Sequence, residues 1–462
     1  EKYFKPLLSE KEIVTHNGAF DWRVAYVYGI NTHIVADTMV AVSLTFAAQN
    51  ASYPLALKEV TRKLLHRDSL ELSDFVPEGK WSEDVNFADM DEESTRLYAC
   101  ADADNTLALY YYFASRRNGK RSVLEQYGVT RVFALNSRLV CPLGYSEFYG
   151  GFINPKNIPA FQAKYEKIRD ESLQKMREIV GRKDFNPSSS KKLSHVMFEV
   201  LKMPVLKYTD NGAPSTDKKV GEMYAKERNP DGTAKYPFAA YLLEYRDASK
   251  MISDFVKPMD ELYPDGFFHS RVRQFLNTGR MSTSKPNYQS ISGVNRRMVT
   301  ARDGFYCFDC DFSSIEYRVL SSVAGQQNLV EQFFDPDFDY HRTMAAMLNG
   351  VPYEEVTSSM RKECKVLNFG IPYGMGIRAL AQAMFGNTRA ASCARAQQLN
   401  DAYFAHQPQV KAFFERTRRE ALENSWNASF FGFPRFYNKA AQSEASIRRA
   451  AGNLPIQGTA AD

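Results

Sequence analysis

Two phrases carry residue types that do chemistry on a polyphosphate. The first is Asp311-Phe-Ser-Ser-Ile-Glu316-Tyr-Arg318, and the second, fifty positions after Asp311, is Arg361-x3-Lys365-x3-Phe369-x3-Tyr373-Gly374. Asp311 closes the apolar run Phe305-Tyr-Cys-Phe-Asp-Cys, which predicts a buried strand with a carboxylate at its end, a position suited to a divalent metal. In the second phrase two cations and two aromatics recur every fourth residue. On a helix such a series drifts by about 40° per step and spreads over about 18 Å of one broad face. That face suits a triphosphate at one end and a sugar and base at the other. Transfer from a triphosphate is mostly positioning and charge stabilisation, so it needs metal-holding carboxylates and cations on the phosphates. Arg361 and Lys365 fit the phosphate role, and Lys365 is also placed to protonate departing pyrophosphate. Phe369 and Tyr373 are expected against sugar and base.

Elements of several kinds must position these groups. Glu12 to Leu107 mixes short apolar runs with helical patterns, as an α/β layer does, and Leu97 to Leu107 reads as a helix. From Pro159 to Gly181, Phe161, Tyr165, Ile168, Leu173, Met176 and Ile179 recur at helical spacing, with Gly181 where a cap belongs. Asn186 to Asp217 is rich in turn residues. Residues 267 to 311 are expected to be strand-like and irregular, and helical patterning dominates from about 326 to 430. Pro372 removes an amide that would bond the Asn368 carbonyl, so a bend or break is predicted just before Tyr373.

The chain has 462 residues, 44% of them hydrophobic and 24% charged, the composition of a globular protein of about three domains. Its formal charge of +5 is unevenly spread. Residues 1 to 110 hold eighteen acidic and ten basic side chains, whereas residues 161 to 207 hold eleven basic and six acidic ones. A basic lobe beside an acidic one suits polyanion binding in one place and cation-assisted chemistry in another, although a solvated helical face has the same composition. Six scattered cysteines argue against a disulfide framework, and Cys307-x2-Cys310 has no second pair to complete a zinc site. No apolar run reaches the roughly 18 residues a membrane span needs, the nearest being Ile34 to Ala48, which contains Asp37. No signal peptide is apparent, and a cytoplasmic location is expected.

Taken together, these phrases resemble the family A DNA polymerases of the DNA polymerase I type. Asp311 to Arg318 is similar to motif A, and Arg361 to Gly374 to motif B on the fingers helix. Asp339-Tyr-His341 resembles the segment whose histidine contacts the triphosphate, and Thr278-Gly-Arg280 to Asn287-Tyr-Gln289 the primer-template segment. Phe431-Gly-Phe-Pro-Arg435 and Arg449-x3-Asn453-x3-Gln457 follow in the same order. The resemblance implies an α+β multidomain fold, a right hand of palm, fingers and thumb, preceded by part of an RNase H-like α/β 3′–5′ exonuclease domain. It implies exonuclease in 1–115, connector and thumb in 116–255, palm in 256–330, fingers in 331–440 and a return to the palm in 441–462. It also implies primer-template DNA and dNTPs as partners, with two Mg²⁺ ions per active site. Asp311 and Phe312 are the implied polymerase metal positions. Glu316, His341, Arg361, Lys365, Phe369 and Tyr373 are implied for the dNTP, with Glu316 as a steric gate against a 2′-OH. Arg280, Asn287, Gln289, Arg449, Asn453 and Gln457 are implied for DNA, Arg280 and Gln457 in the minor groove, where readout is degenerate.

His16-Asn17-Gly-Ala-Phe-Asp21 and Tyr98-x3-Asp102 resemble two of the three exonuclease motifs, which makes Asp21 and Asp102 metal ligands and Tyr98 the residue that orients the attacking water. The third exonuclease motif, Asp-x-Glu, is expected before residue 1, and the polymerase His-Asp-Glu motif after residue 462. This stretch alone is therefore expected to be inactive in both reactions, completed either by a longer chain or by a second one. Two other readings fit parts of the pattern. A single-subunit RNA polymerase shares the Asp and Arg-x3-Lys-x7-Tyr-Gly logic but is disfavoured by Glu316, Phe369 and the exonuclease motifs. A nonenzymatic DNA clamp is disfavoured by Asp311, Arg361 and Lys365.

Overall fold

The computed structural model describes residues 4–75, 90–209, 211–258, 265–291, 296 and 298–462. β1 (Glu12–Thr15) and β2 (His33–Asp37) pair in parallel, and α1 (Gly18–Val27) makes the crossover that parallel neighbours require. The register sets Thr15 opposite Asp37, so both strands end at one level. There α2 (Thr38–Leu44) begins, capped by Asp37, whose carboxylate accepts from the amides of Met39 and Val40. α3 (Leu57–Leu65) and α4 (Glu92–Ala114) cover this unit, burying Val60, Leu109 and Phe113 in one cluster with Ile34, Val40 and Leu44. Phe433 and Leu454 belong to the same cluster, so apolar burial joins the first lobe to the far end of the chain.

α5 (Val140–Tyr149) follows, and its buried Glu147 links two lobes. One carboxylate oxygen pairs with Arg23 of α1 at 3.0 Å, and the other accepts from the Val272 amide at 2.6 Å. α6 (Ile158–Val180) ends at Gly181 in the left-handed conformation, and Tyr165 and Met176 of the expected stripe are buried. α7 (Pro237–Met251) runs antiparallel to it, because the start of α6 shares a cluster with the end of α7 while Met176 lies with Phe238 and Leu242. Short antiparallel pairs come next: β3 (Gly151–Phe152) with β4 (Phe267–Phe268), and β5 (Arg271–Arg273) with β6 (Ser282–Ser284).

The last third is helical. α8 (Ile315–Val323), α9 (Tyr340–Asn349), α10 (Ser358–Gly370) and α11 (Pro408–Asn424) share a core that includes Tyr317, Tyr340, Leu367, Tyr403 and Phe414. After β7 (Trp426–Ala428) and β8 (Pro434–Phe436), α12 (Glu444–Ala461) closes the described chain. Pro455 lies inside α12 and has no amide for the carbonyl of Ala451. The Asn427 side chain supplies the missing donor at 2.9 Å.

Two sequence expectations change. The four residues Arg361, Lys365, Phe369 and Tyr373 do not share one helix, because α10 stops at Gly370. Pro372 cannot donate to Asn368, and the chain turns instead through Ile371 to Gly374, with Gly374 at φ 64° and the Met375 amide bonded to the Gly370 carbonyl. The apolar run before Asp311 is not a buried strand. Thr300 still donates to the Phe152 carbonyl beside β3, but from Ala301 onward the chain leaves that edge. Without a hydrogen-bonded neighbour among the described residues, Tyr306 and Phe308 are each 87% exposed, and Cys307 and Cys310 face solvent.

Candidate active sites

Glu316, in the first turn of α8, gathers three distant segments onto one carboxylate. Arg280 donates to Oε1 at 2.5 Å, the Tyr373 hydroxyl lies 3.0 and 3.1 Å from the two oxygens, and Gln457 Nε2 is 3.3 Å from Oε1. Gln457 also bonds the Tyr373 hydroxyl, and Asn453 Nδ2 donates to Gln457 Oε1 at 2.9 Å. A carboxylate only accepts, and here every contact is a donor, so its orientation is fixed. Burial and then the Glu316 charge raise the Tyr373 pKa, which keeps the hydroxyl protonated and donating. Arg449 packs on Gly374, where an added Cβ would meet its Cγ at 2.8 Å.

A second group lies where α9 and α10 meet. Asp339 caps α9 through the Arg342 amide and pairs with Arg361 Nε at 2.7 Å. One residue pair further in, buried His341 meets Asn368 Nδ2 at 3.0 Å through Nδ1. Burial, reinforced by the Arg361 charge, pushes the His341 pKa down to about 4, so the ring is neutral at pH 7. Phe369 packs edge-on against Tyr317 with ring centres 5.4 Å apart, and exposed Lys365 extends its ammonium 6.0 Å from the Phe369 ring. Exposed Asn287 and Gln289 accept from the Thr283 hydroxyl and amide, respectively, and so brace the loop after β6.

Asp311 and Phe312 lie in an exposed loop immediately before α8. An aspartate carboxylate and a backbone carbonyl are hard oxygen ligands of the kind Mg²⁺ takes, but Mg²⁺ prefers octahedral coordination. Among the described residues no three His, Cys, Asp or Glu side chains are grouped to hold an ion. Asp311 and the Phe312 carbonyl are donors of the right chemistry but too few to complete that shell among the described residues.

In the first lobe, Asp37 organises the ground beneath Asp21. Its carboxylate accepts from Thr15 Oγ1 at 2.9 Å and from the Gly18 amide at 2.6 Å, in addition to its cap bonds. Gly18 has to lack a side chain there, because a Cβ would lie 2.2 Å from Thr15 Oγ1. Burial first, then the Asp37 charge, raises the Asp21 pKa to about 6. Asp102 is raised by burial and Glu71, against the pull of Lys58 and His16. His16 is fixed between Leu55 O at 2.7 Å and Thr38 Oγ1 at 2.8 Å. Tyr98, one turn before Asp102 on α4, receives the Lys58 ammonium over its ring at 4.0 Å.

The sequence reading missed Asp37 as an organising cap, Lys58 as a partner of Tyr98 and Asn368 as a partner of His341. Asn368 did leave a signal, a polar residue on the apolar stripe of α10 between Cys364 and Leu367 on one side and Gly370 on the other. Asp37 left one as well, an N-cap residue type directly ahead of the apolar run Thr38 to Leu44, whereas Lys58 left none that spacing can reveal.

The sequence model of DNA polymerase family A matches residues 156–462. The chain belongs to DNA polymerase family A. A 3′–5′ exonuclease model matches residues 1–116, so the family A polymerase region follows an exonuclease domain. DNA polymerase I of Pseudomonas aeruginosa is 29% identical over 457 residues, covering 94% of this chain and 48% of that protein. The thermostable DNA polymerase I of Thermus aquaticus is 33% identical over 292 residues, covering 60% of this chain and 33% of that protein. The chain thus spans about half the length of the first of these relatives and a third of the second is matched. The POL domain of Pol1 from M. smegmatis, solved in complex with DNA primer-template and dNTP, superposes with a TM-score of 0.77 at 22% identity, covering 99% of this chain and 75% of that one. The fold is therefore the α+β right hand of a family A polymerase behind an exonuclease domain. No helix among the described residues is long and apolar enough to cross a membrane.

Proposed function

We propose that this chain carries the dNTP and primer-template sites of a DNA-directed DNA polymerase with an attached 3′–5′ proofreading exonuclease, acting in the cytoplasm of a bacterium or of a phage-infected host. The observation that carries the reading is the Glu316 network, in which Arg280, Tyr373 and Gln457 converge on one carboxylate beside α10. A carboxylate locked in that way makes a rigid wall, and a rigid wall discriminates a deoxyribose from a ribose by excluding the 2′-OH. Arg361, Lys365 and His341 would meet the triphosphate, and Phe369 and Tyr373 the sugar and base. Arg449, Asn453 and Gln457 line the DNA side of α12. Asn287 and Gln289 contact DNA from the loop after β6, and the basic segment 161–217 grips backbone phosphates without reading sequence. Exonuclease occupies 1–115, connector and thumb 116–255, palm 256–330 and fingers 331–440, with a return to the palm in 441–462.

Asp311 and the Phe312 carbonyl would hold Mg²⁺, which when bound would supply activation of the primer 3′ oxygen and charge stabilisation of the leaving pyrophosphate. Asp21 and Asp102 would hold the exonuclease ions, with Tyr98 orienting the water. Primer extension by the intact gene product tests this reading. Incorporation of dNTPs well above rNTPs is expected, along with its loss in Asp311→Ala and the loss of mismatched-primer trimming in Asp21→Ala. Undiminished synthesis by Asp311→Ala would sink it.

A further inference from the structure

We propose that Asn368 is a positioning residue that fixes the ring orientation and tautomer of His341, so that Nε2–H is presented as a neutral donor to a triphosphate oxygen. The inference rests on the polymerase reading given above for His341. Asn368 is fully buried on α10, and its Nδ2 lies 3.0 Å from His341 Nδ1. An amide NH₂ has only hydrogens to offer, so Nδ1 accepts and the single ring proton resides on Nε2. Rotating the amide would put Oδ1 against the ring and strand the NH₂ in a buried site, replacing one orphan acceptor by orphan donors. Oδ1 has no partner in the present orientation, the smaller of the two costs.

The ring is held from its flanks as well. Tyr317 meets it edge-on with centres 5.2 Å apart, Tyr340 lies at 5.8 Å and Phe369 at 5.8 Å. The ionised groups whose fields reach it are Arg361 and Lys365, which oppose a charged ring, and Asp339, which favours one. Asp339 is already neutralised by Arg361 at 2.7 Å, so the balance favours neutral imidazole. A neutral donor between two cations contacts phosphate without adding a third positive charge. Asn368 touches neither substrate nor metal position, and acts only by holding the ring.

Side-chain ¹⁵N NMR of histidine-labelled protein, with His341 assigned by His341→Gln, tests the proposal in the wild-type chain. The expected result is a neutral ring protonated on Nε2 from pH 8 to about pH 5 whose Nε2–H resonance moves when dNTP is added. A proton on Nδ1, or a ring unmoved by dNTP, would overturn it. Asn368→Asp supplies an acceptor in place of the donor, so the ring should reorient its proton to Nδ1 and titrate in the neutral range. In primer extension the KM for dNTP should then acquire a pH dependence between pH 6 and 8 that wild type lacks. Asn368→Leu should raise that KM about tenfold with little change in kcat, the size of one hydrogen bond to a charged group. A flat profile in Asn368→Asp, or a kcat loss without a KM change in Asn368→Leu, indicates a structural role only and overturns the proposal. An intact gene product that moves the Nε2–H resonance with dNTP yet fails to extend a primer retains this inference and sinks the polymerase reading.

Discussion

Tyr373→Phe deletes one oxygen from the Glu316 network and leaves the volume of the ring in place. That oxygen lies 3.0 and 3.1 Å from the two carboxylate oxygens and also takes a bond from Gln457. A hydrogen bond to a charged group contributes about 1.5–3 kcal/mol. Tyr373 is 37% exposed, so water replaces part of what is lost and the effect falls near 1.5 kcal/mol, about a tenfold decrease in kcat/KM for dNTP. Glu316→Gln keeps the outline but introduces an NH₂ facing three donors. Its Arg280 contact is half exposed and counts for only about 1 kcal/mol. If the hydroxyl and the carboxylate act as one unit, the double variant is less impaired than the product of the single ones. The coupling should be about 1 kcal/mol, roughly a fivefold departure from multiplicative behaviour. Steady-state kinetics on a primed template, with dNTP and rNTP in parallel, measures the cycle. Effects that multiply within a factor of two, with unchanged sugar selectivity, would refute the idea that this network builds the wall under the sugar.

The Asp339–Arg361 pair should make a small, pH-dependent contribution. Burial alone would raise the Asp339 pKa, but hydrogen bonds from Arg361 and the Arg342 amide hold it below the usual aspartate value. A depressed carboxylate stabilises above its unfolded pKa and loses that contribution as pH falls through the folded one, so the pair helps at neutral pH and fails in acid. Thermal melts from pH 7 to pH 3 should show Arg361→Ala losing about 0.5–1 kcal/mol at pH 7 and less near pH 3, while its dNTP KM rises at all pH values. Pro372→Ile should keep activity within a few-fold, because the chain already leaves the helix at Gly370; abolished extension would show that the bend itself is required. Gly374→Ala should be worse, since φ 64° costs an L-residue about 1–2 kcal/mol and the new Cβ crowds Arg449. Asn427→Leu should destabilise by about 1–3 kcal/mol through the orphaned Ala451 carbonyl, and adding Pro455→Ala should restore most of it in urea melts by returning the helical amide. A double variant no better than Asn427→Leu would refute that account.

Local signals in the chain were sufficient for much of this architecture. The apolar stripe of α6, the left-handed cap at Gly181, the helix through Tyr98 and Asp102, and the break ahead of Tyr373 all follow from spacing within four residues or from the missing amide of one proline. The order of the chemical phrases likewise belongs to the sequence. Tertiary structure alone decided which of those residues meet. Arg280, Glu316, Tyr373 and Gln457 span 177 positions and become neighbours because buried faces of α8 and α12 pack around a common core, a matter no short window encodes. The same applies to Asn368, whose polarity conflicts with its apolar stripe until His341 arrives from another helix. It applies in reverse to Phe305 through Cys310, where a strand-like composition stays exposed because a strand forms only when a second edge offers it hydrogen bonds.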